Sequence, residues 1–358
     1  MTTIGIVNPN WTLSRHNTDH RCVVDLSTMG DYVDDLSFQF VGSRVQYLKW
    51  NVNFLGVRLL KRRVFKQIEL PDKSIKADAL YRYGEQLLGL TIDPKNRTPL
   101  VSTLGFPILG QDRIRGEQYL QDEADNLVKL AGNSSLVHFH TDCMREFFLT
   151  KRPEWRHKCV TVPFFLPQLR FSSEKTITEK FSAEELRIVF VGVDGKRKGL
   201  VELCEALDSM TDFLQAHQVS ATFVSKTSPM CRRFKNITHH FFMERDEVQK
   251  LMQASHIYVM VPRLESFGLV FVEAMAAGCA VLADDDVPRQ EIFDNGRCGR
   301  LVQPGNASLI VAELKKLIED RAAMRDLALK GWQRAQSRYS PTVVAKQYAD
   351  MFRRIIAK

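Results

Sequence analysis

Apolar runs rich in β-branched and aromatic residues alternate with segments of helical periodicity along the chain, and this alternation limits the fold more than any other feature. The strands predicted for the first half are 3–7, 36–41, 99–104, 135–140 and 158–163. Helices are predicted between several of them, at 17–29, 77–90 and 111–130. Strands that alternate with helices predict an α/β fold with mostly parallel sheets.

A polar stretch around residues 164–185, which includes Pro167, interrupts this pattern, and the alternation then starts again at residue 186. The second half has predicted strands at 186–192, 219–225, 236–242, 256–261 and 279–283, and predicted helices at 197–214, 244–254, 268–277 and 307–320. Each half has the pattern of a Rossmann-like layer sandwich. We therefore predict two domains, 1–170 and 183–340, facing each other across a cleft, with an amphipathic helix at 341–358 docked on the first domain.

The composition narrows the class of protein. A chain of 358 residues exceeds what one core usually supports, and its formal net charge of +8 favours phosphate-bearing ligands, anionic membranes or nucleic acid without choosing among them. We expect no membrane span and no cleaved signal, because neither an apolar stretch nor a basic leader is found. The seven cysteines form no CxxC pair, which is typical of reduced thiols in the cytoplasm.

The most informative segment is 262–283, in which a predicted strand ends at Pro262, a loop follows, and a helix begins near Gly268. Ligands of open α/β sheets bind at the carboxyl ends of strands and at the helix N-termini that follow them. The backbone N–H groups of Phe267, Gly268, Leu269 and Val270, together with the helix dipole, predict an anion site suited to a diphosphate.

Two carboxylates flank this predicted anion site. Glu273 lies about five residues into the helix, roughly 7.5 Å along its axis, which is within reach of a ribose next to a diphosphate at the helix tip. Glu265 precedes the tip and would face the group at the other end of the diphosphate. Both carboxylates would accept hydrogen bonds from sugar hydroxyls.

A second set of candidate residues opens the C-terminal domain. A predicted strand runs into Gly192, and the cations Lys196, Arg197 and Lys198 follow before the next helix. Arg197 can neutralise a diphosphate through paired N–H donors and Lys198 as a point charge. The alternative is a solvated basic loop.

The spacing of Glu265 and Glu273 resembles the E-x7-E signature of the retaining glycosyltransferases of family four, which have the GT-B fold. The resemblance covers residues 186–340, including the stretch 278–305, and is to bacterial enzymes of the lipopolysaccharide and capsule type. It implies that Glu265 contacts the transferred sugar, Glu273 the ribose, and the amides of Ser266, Phe267, Gly268 and Leu269 the diphosphate.

The same family carries G-R-x4-K-G after the first strand of this domain, and Gly192 and Lys198 match the first Gly and the Lys. Val193 stands where the family has Arg, and Arg197 would take the role of that missing arginine. In the N-terminal domain, Gly105 stands where family members often carry a His. Polar residues of the first loop could replace that His, namely Asn8, Asn10, His16 and His20.

The resemblance implies a metal-independent, retaining hexosyltransferase with no tightly bound cofactor. The donor would be a nucleoside-diphosphate sugar, and the acceptor, a glycan or lipid-linked saccharide, would bind the N-terminal domain. Glu265, Arg197 and Lys198 would carry the catalysis. Polysaccharide biosynthesis is the process that this activity implies, and nucleic acid is not the expected partner.

Three other features are open to two interpretations. Asp284, Asp285 and Asp286 could hold a divalent cation, but Asp286 followed by Pro288 is more typical of a helix N-cap. Glu291 matches a family position near the site and is equally explained as a charge in the first turn of a helix. His138 and His140 share one face of a strand, where packed imidazoles are more common than metal ligands.

The segment 54–68 interleaves apolar residues with Arg58, Lys61, Arg62, Arg63 and Lys66. This pattern suits peripheral attachment to the inner membrane face, and it equally suits an ordinary helix with a solvated face. Two alternative functions stay open at this point: a basic protein that binds or glucosylates DNA, and a non-catalytic sugar-nucleotide sensor of the same fold.

Overall fold

The computed structural model describes residues 1–7, 25–40, 68–70, 77–82, 90–92, 98–104 and 131–357, with the backbone alone at 68–70 and 90–92. The chain divides into two compact units. The N-terminal unit comprises Met1–Pro167 with Pro341–Lys358, and the C-terminal unit comprises Gln168–Ser340. The prediction of an α/β fold with two parallel sheets is confirmed in both units.

The N-terminal unit contains the first eight described strands: β1 (Thr2–Val7), β2 (Leu36–Phe40), β3 (Ile68–Leu70), β4 (Ala79–Arg82), β5 (Leu90–Ile92), β6 (Leu100–Thr103), β7 (Leu136–Phe139) and β8 (Cys159–Thr161). Six of them form a parallel sheet in the order β2-β1-β4-β6-β7-β8, and β3 pairs with β5 in parallel. Helix α1 (Asp142–Lys151) follows β7, and short 3-10 helices cover Thr28–Asp31 and Pro153–Lys158. The five strands predicted for this half are confirmed.

The helix predicted at 77–90 is wrong. Ala79–Arg82 is a strand between β1 and β6, and all four of its residues are buried. Because a strand covered on both faces has no polar alternation, a short one cannot be told from a buried helix by periodicity. The predicted helix at 111–130 lies outside the described residues. Most of the predicted helix at 17–29 does so too, but its described end is helical at 25–27 and continues into the 3-10 helix at Thr28–Asp31.

The elements from residue 174 onwards are the helices α2 (Glu174–Lys180), α3 (Leu200–Ser209), α4 (Thr211–Ala216), α5 (Arg245–Ala254), α6 (Leu269–Ala276), α7 (Val287–Ile292), α8 (Ala307–Glu319), α9 (Arg321–Tyr339) and α10 (Pro341–Ile356), and the strands β9 (Leu186–Val191), β10 (Val219–Val224), β11 (Ile237–His240), β12 (Ile257–Met260), β13 (Ala280–Asp284) and β14 (Arg300–Val302). The predicted strands of this half are confirmed. The helix predicted at 197–214 begins only at Leu200 and is divided in two, and α2, α9 and β14 have no predicted counterpart.

The sheet of the C-terminal unit places its topological switch point beside β9. All neighbouring strands are parallel, in the order β11-β10-β9-β12-β13-β14. From β9 the chain proceeds outward to β10 and β11 and then returns to place β12 on the other side of β9. The connections that leave β9 and β12 therefore diverge at neighbouring carboxyl ends, where a ligand crevice is expected.

The helix predicted at the C-terminus is present as α10 and packs on the sheet of the N-terminal unit. The rings of Tyr348 and Phe352 lie 5.9 and 5.7 Å from the ring of Tyr81 on β4. Arg353 forms an ion pair with Asp35 at 2.7 Å. Among the residues that the structure describes, no helix combines the length and apolarity that a bilayer span requires.

Lys180, at the end of α2, holds the helices around the switch point together. Its half-buried ammonium donates to the carbonyls of Ser255 (2.7 Å) and Gly278 (2.9 Å), which lie at the C-terminal ends of α5 and α6. A cation is stabilising there because the C-terminal end of a helix dipole is negative. The short helix α2 thereby fixes the far end of α6, whose first turn belongs to the candidate site.

Gly199 makes the closest backbone approach at the switch point, and we predict that Gly199→Ala destabilises the protein more than Gly296→Ala does. Both glycines have positive φ, +84° and +86°, but a Cβ at Gly199 would lie 2.3 Å from the Val261 carbonyl oxygen, against 3.7 Å to the nearest atom at Gly296. Left-handed backbone alone costs about 1–2 kcal/mol for a non-glycine residue, and overpacking adds about 1–3 kcal/mol. Urea unfolding measures both variants, and equal losses would contradict the importance of this approach.

Candidate functional site

Two loops form the candidate site at the switch point. The β9–α3 loop (192–199) leaves β9, and the β12–α6 loop (261–268) leaves the neighbouring β12. Glycines permit the turns: Gly199 precedes α3 and Gly268 precedes α6, each with a positive φ. The backbone N–H of Arg263 donates to the carbonyl of Arg197 (3.2 Å), so the two loops contact each other directly.

The β9–α3 loop folds into tight turns that project its cations. The N–H of Lys198 donates to the carbonyl of Asp194 (3.0 Å), and the N–H of Leu200 donates to that of Gly195 (2.8 Å). A Cβ at Gly192 would lie 3.1 Å from the Lys198 side chain, so only glycine leaves full room for the lysine stem. The loop therefore orients Lys198 inward, towards the β12–α6 loop.

Lys198 forms an ion pair with Glu265, a residue 67 positions further along the chain. Both side chains are largely buried, with 15% of Lys198 and 10% of Glu265 exposed. Burial, assisted by the charges of Arg197 and Arg289, lowers the pKa of Lys198 to about 8. The other oxygen of Glu265 accepts a hydrogen bond from the N–H of Ser266 at 3.2 Å. The structure thus brings together two of the three residues predicted to be catalytic.

Arg197, the third, is turned along the β12–α6 loop. Its guanidinium donates to the carbonyl of Leu264 (2.9 Å) and lies 3.5 Å from the carboxylate of Asp194. Its side chain is 45% exposed. Arg197 therefore contacts the residue before Glu265, and it supports the β12–α6 loop by binding a backbone carbonyl rather than the Glu265 carboxylate.

The first turn of α6 carries the predicted anion-binding amides. Gly268 is the N-cap residue, and the helix runs from Leu269 to Ala276. N–H groups in the first turn of a helix have no partner within it, which makes the amides of this turn candidates for an anion. The ring of Phe267 packs against that of Tyr339, with centroids 6.1 Å apart, and so fixes the approach to the helix from the interior.

Glu273, predicted to contact a ribose, lies in the second turn of α6 and pairs with Arg245 at 3.0 Å. Both side chains are mostly buried. Arg245, the first residue of α5, also donates to the side chain of Gln168 at 2.9 Å. The sequence analysis did not include Arg245 among the candidates, because an arginine in the first turn of a polar helix gives no signal of its partner.

Arg289 is a further residue that the sequence analysis missed. It is fully buried, and its guanidinium bonds to Asp284 at 3.1 Å and Asp286 at 3.2 Å. It also donates to backbone carbonyls of the β12–α6 loop. The sequence did contain a signal for Arg289. Three aspartates precede it within five positions, and such anionic partners would permit an arginine to be buried.

The three aspartates at the end of β13 and just beyond it have structural contacts. Asp286 caps α7 by accepting from the N–H of Val287 (2.8 Å), with Pro288 in the first turn, so the predicted N-cap is confirmed. Asp285 accepts from the side chain of Gln290 (2.9 Å). Burial raises the pKa of Asp284 to about 6. Within the described parts of the chain, no group of three or more His, Cys, Asp or Glu side chains could hold a metal ion.

Glu291 lies beyond the first turn of α7 and pairs with Arg338 on α9 at 2.9 Å. Its interpretation as a first-turn helix charge is therefore wrong, since its position places the carboxylate against a different helix. The ion pair ties α7 to α9.

The interpretation of His138 as a packed residue is confirmed. Its ring is fully buried, with Nδ1 3.0 Å from the Tyr81 hydroxyl and Nε2 2.8 Å from the Val162 carbonyl oxygen. Burial lowers the pKa of His138 to about 4. His140 stacks on Phe164, with ring centroids 3.6 Å apart. The other candidates of this unit lie outside the described residues: Asn8, Asn10, His16, His20, Gly105 and the segment 54–68.

Comparison with known proteins finds a family match that includes this site. Residues 173–334 match the family described as glycosyl transferases group 1. The match begins at Ser173, the N-cap residue of α2, and ends in α9, so both loops of the site lie within it. The family match thus covers most of the C-terminal unit, including the candidate site.

Individual relatives agree with this family. The chain is 27% identical over 187 residues to a phosphatidyl-myo-inositol mannosyltransferase of Mycolicibacterium smegmatis, a match that covers 50% of this chain and 48% of the relative. It is 29% identical over 120 residues to the lipopolysaccharide glucosyltransferase WaaG of Escherichia coli, covering 31% of each. The matched region spans about half the length of the first relative and less of the second.

A likeness in structure extends over nearly the whole chain. HepE from Anabaena, solved in complex with UDP-glucose, matches with a TM-score of 0.67 and 16% identity, covering 98% of this chain and 99% of that one. At this identity the likeness establishes the fold. The chain therefore has the GT-B fold that the sequence predicted.

The buried ion pair allows a test that is independent of function. We predict that Lys198→Met and Glu265→Gln each lower the free energy of unfolding by about 2–3 kcal/mol, because each leaves a largely buried partner without its counter-charge. The double variant should lose at least about 1 kcal/mol less than the sum of the two. Urea unfolding measures the cycle.

The matched control is Lys196→Met, which removes an exposed lysine two positions away and should change stability by less than about 0.5 kcal/mol. Strict additivity of the two site substitutions would mean that Lys198 and Glu265 do not interact in solution.

Proposed function

We propose that the protein is a retaining glycosyltransferase that moves a hexosyl group from a nucleoside-diphosphate sugar to an acceptor hydroxyl without a metal ion. The observation that carries this proposal is the buried contact between Lys198 and Glu265 in the loops that precede α3 and α6. It places a cation, a carboxylate and helix N-terminal amides within one small volume at the switch point. The family match supports this class of function over binding or glucosylation of DNA.

The proposed chemistry develops negative charge on the leaving diphosphate while the anomeric carbon becomes oxocarbenium-like. Lys198 and the amides at the start of α6 are positioned groups of the kind that stabilise such charge. Arg197 adds positive potential from the edge of the same loop. Catalysis is then chiefly electrostatic.

The donor would have to compete with Glu265 for Lys198. As the ammonium turns to a phosphate oxygen, the carboxylate of Glu265 becomes available to a hydroxyl of the transferred sugar. Glu273 can accept from a ribose hydroxyl while it keeps one oxygen on Arg245, since a carboxylate has about four acceptor positions. The two glutamates would then bind the two ends of the donor.

Retention follows from a same-face reaction. The bond between the anomeric carbon and the diphosphate oxygen breaks with its electron pair on the diphosphate. The acceptor oxygen bonds to the same face of that carbon, and its proton passes to the leaving phosphate. A covalent intermediate would need a carboxylate on the opposite face, and the proposal gives Glu265 a place at the hydroxyl edge of the sugar instead.

The relatives suggest which substrates to test first. HepE was solved with UDP-glucose, and the mycobacterial relative is named for a lipid acceptor, phosphatidyl-myo-inositol. We propose a UDP-sugar as the first donor class and a lipid-linked or saccharide acceptor in polysaccharide biosynthesis. Peripheral attachment to the cytoplasmic face of a membrane through residues 54–68 stays a prediction, because this segment lies outside the described residues.

A thermal-shift screen of UDP-, GDP- and ADP-sugars tests donor binding. One donor class should stabilise the protein by about 2.7 kcal/mol at a hundredfold excess over its dissociation constant. Lys198→Ala should abolish most of this stabilisation, because the diphosphate loses its buried cation. Lys196→Ala, an exposed neighbour, should leave it unchanged. The proposal is wrong if no donor stabilises the wild-type protein.

The reaction itself is tested by the anomeric configuration of the product and by slow donor hydrolysis. Proton NMR of a product made from an α-linked donor should show an α-linkage, because attack occurs on the face that the diphosphate leaves. Glu265→Ala should abolish hydrolysis of the donor in the absence of acceptor, which also separates an enzyme from a non-catalytic sensor. An inverted linkage would rule out the same-face reaction.

A further inference from the structure

Arg289 contacts three successive peptide groups of the β12–α6 loop. Its guanidinium donates to the carbonyl oxygens of Glu265 at 2.7 Å, Ser266 at 3.1 Å and Phe267 at 3.2 Å. The side chain comes from α7, which follows the neighbouring strand β13. One buried cation therefore fixes the segment that joins Glu265 to the first turn of α6.

Burial of this cation requires compensation, and the structure provides two carboxylates. Asp284, at the end of β13, accepts at 3.1 Å and is itself buried, while Asp286 accepts at 3.2 Å from a half-exposed position. Asp284 Oδ1 is buried with no hydrogen-bond partner within the described residues. An arrangement that desolvates two aspartates and an arginine is costly, so stability alone is a weak reason for it.

Peptide geometry gives the contact a consequence at the candidate site. A trans peptide group is planar, with its C=O and N–H pointing in opposite directions. When Arg289 holds the carbonyls of residues 265, 266 and 267, the N–H groups of Ser266, Phe267 and Gly268 are directed away from it. The bond from the Ser266 N–H to the carboxylate of Glu265 agrees with this direction. Successive N–H groups turned to one side form a concave anion-binding site.

We propose that Arg289 is a positioning residue: by holding three successive carbonyls it orients the amides of residues 266–268 to bind the diphosphate of the donor, which it does not itself touch. This inference rests on the proposed function of the same site. The chemistry requires arginine, because a planar guanidinium with five donors can serve three carbonyls and two carboxylates at once. A lysine ammonium has three donors and would leave some of these oxygens without a partner.

The test is the affinity for UDP, inorganic diphosphate and uridine, measured by calorimetry on wild-type protein and on Arg289→Lys. We expect Arg289→Lys to bind UDP and diphosphate roughly 10- to 100-fold more weakly, because the amides lose their alignment, and to bind uridine with unchanged affinity. With a donor substrate, KM should rise and kcat should fall. The split between diphosphate and nucleoside is the readout that a merely structural role would not produce.

Arg334→Lys is the matched control. Arg334, on α9, also donates to two backbone carbonyls, those of Glu291 and Ile292 at the end of α7, but it does not hold the β12–α6 loop. Its substitution should lower thermal stability and leave the ratio of UDP to uridine affinity unchanged. If Arg289→Lys fails to fold, Asp286→Asn replaces it: asparagine keeps the cap of α7 and loosens the hold on Arg289, so the ratio should still fall, by less.

The outcomes separate the two proposals. If wild-type protein binds UDP and neither Arg289→Lys nor Asp286→Asn changes the ratio of UDP to uridine affinity, Arg289 does not position the amides, and the proposed function stands. An equal loss for UDP and uridine would assign Arg289 a purely structural role. If wild-type protein binds neither UDP nor diphosphate nor any donor, the proposed function fails and this inference fails with it.

Discussion

The close approach of Gly199 to the carbonyl of Val261 is the contact on which the candidate site depends. Parallel strands bring the carboxyl ends of β9 and β12 side by side, but side chains on two loops meet only if the backbones are nearly in contact. Gly199 permits this approach in two ways. It adopts a positive φ, and it lacks the Cβ that would lie 2.3 Å from the Val261 carbonyl oxygen. Lys198, which precedes this glycine, is thereby brought to Glu265.

Around this contact, several acidic side chains of the site are paired with cations from other elements of the C-terminal unit. Lys198 on the β9–α3 loop holds Glu265, Arg245 on α5 holds Glu273, and Arg289 on α7 bonds to Asp284. Arg263 and Glu202 add a fourth pair, which ties the β12–α6 loop to α3 at 2.6 Å. Because the pairs span separate elements, they fix loop positions that local sequence alone leaves undetermined.

The sequence predicted the parts of this arrangement that are encoded locally. Buried parallel strands are continuous apolar runs, and the loop from Glu265 to Gly268 has a distinctive local pattern, so both were found. β4 was mistaken for helix because four buried residues that include Tyr81 and Arg82 carry no period. Arg245 was missed because its partner Glu273 lies 28 positions away. Arg289 was missed because the carbonyls that it holds lie 22–24 positions away, and only the tertiary fold shows that the side chain is buried. A single arginine in a polar helix has the same sequence pattern as a solvated one.

The electrostatic balance of the site bears on how it could bind a diphosphate. Burial lowers the pKa of Lys198 to about 8, and a buried lysine without a counter-charge would be strongly destabilising. Glu265 supplies that counter-charge within the protein, so Lys198 stays both charged and desolvated. If a diphosphate displaced Glu265, Lys198 would exchange one anionic partner for another of higher charge. The free-energy cost of removing the lysine from water would already have been met during folding. The amides held by Arg289 are likewise oriented before any ligand arrives, so under the proposed function little reorganisation remains for the moment of binding.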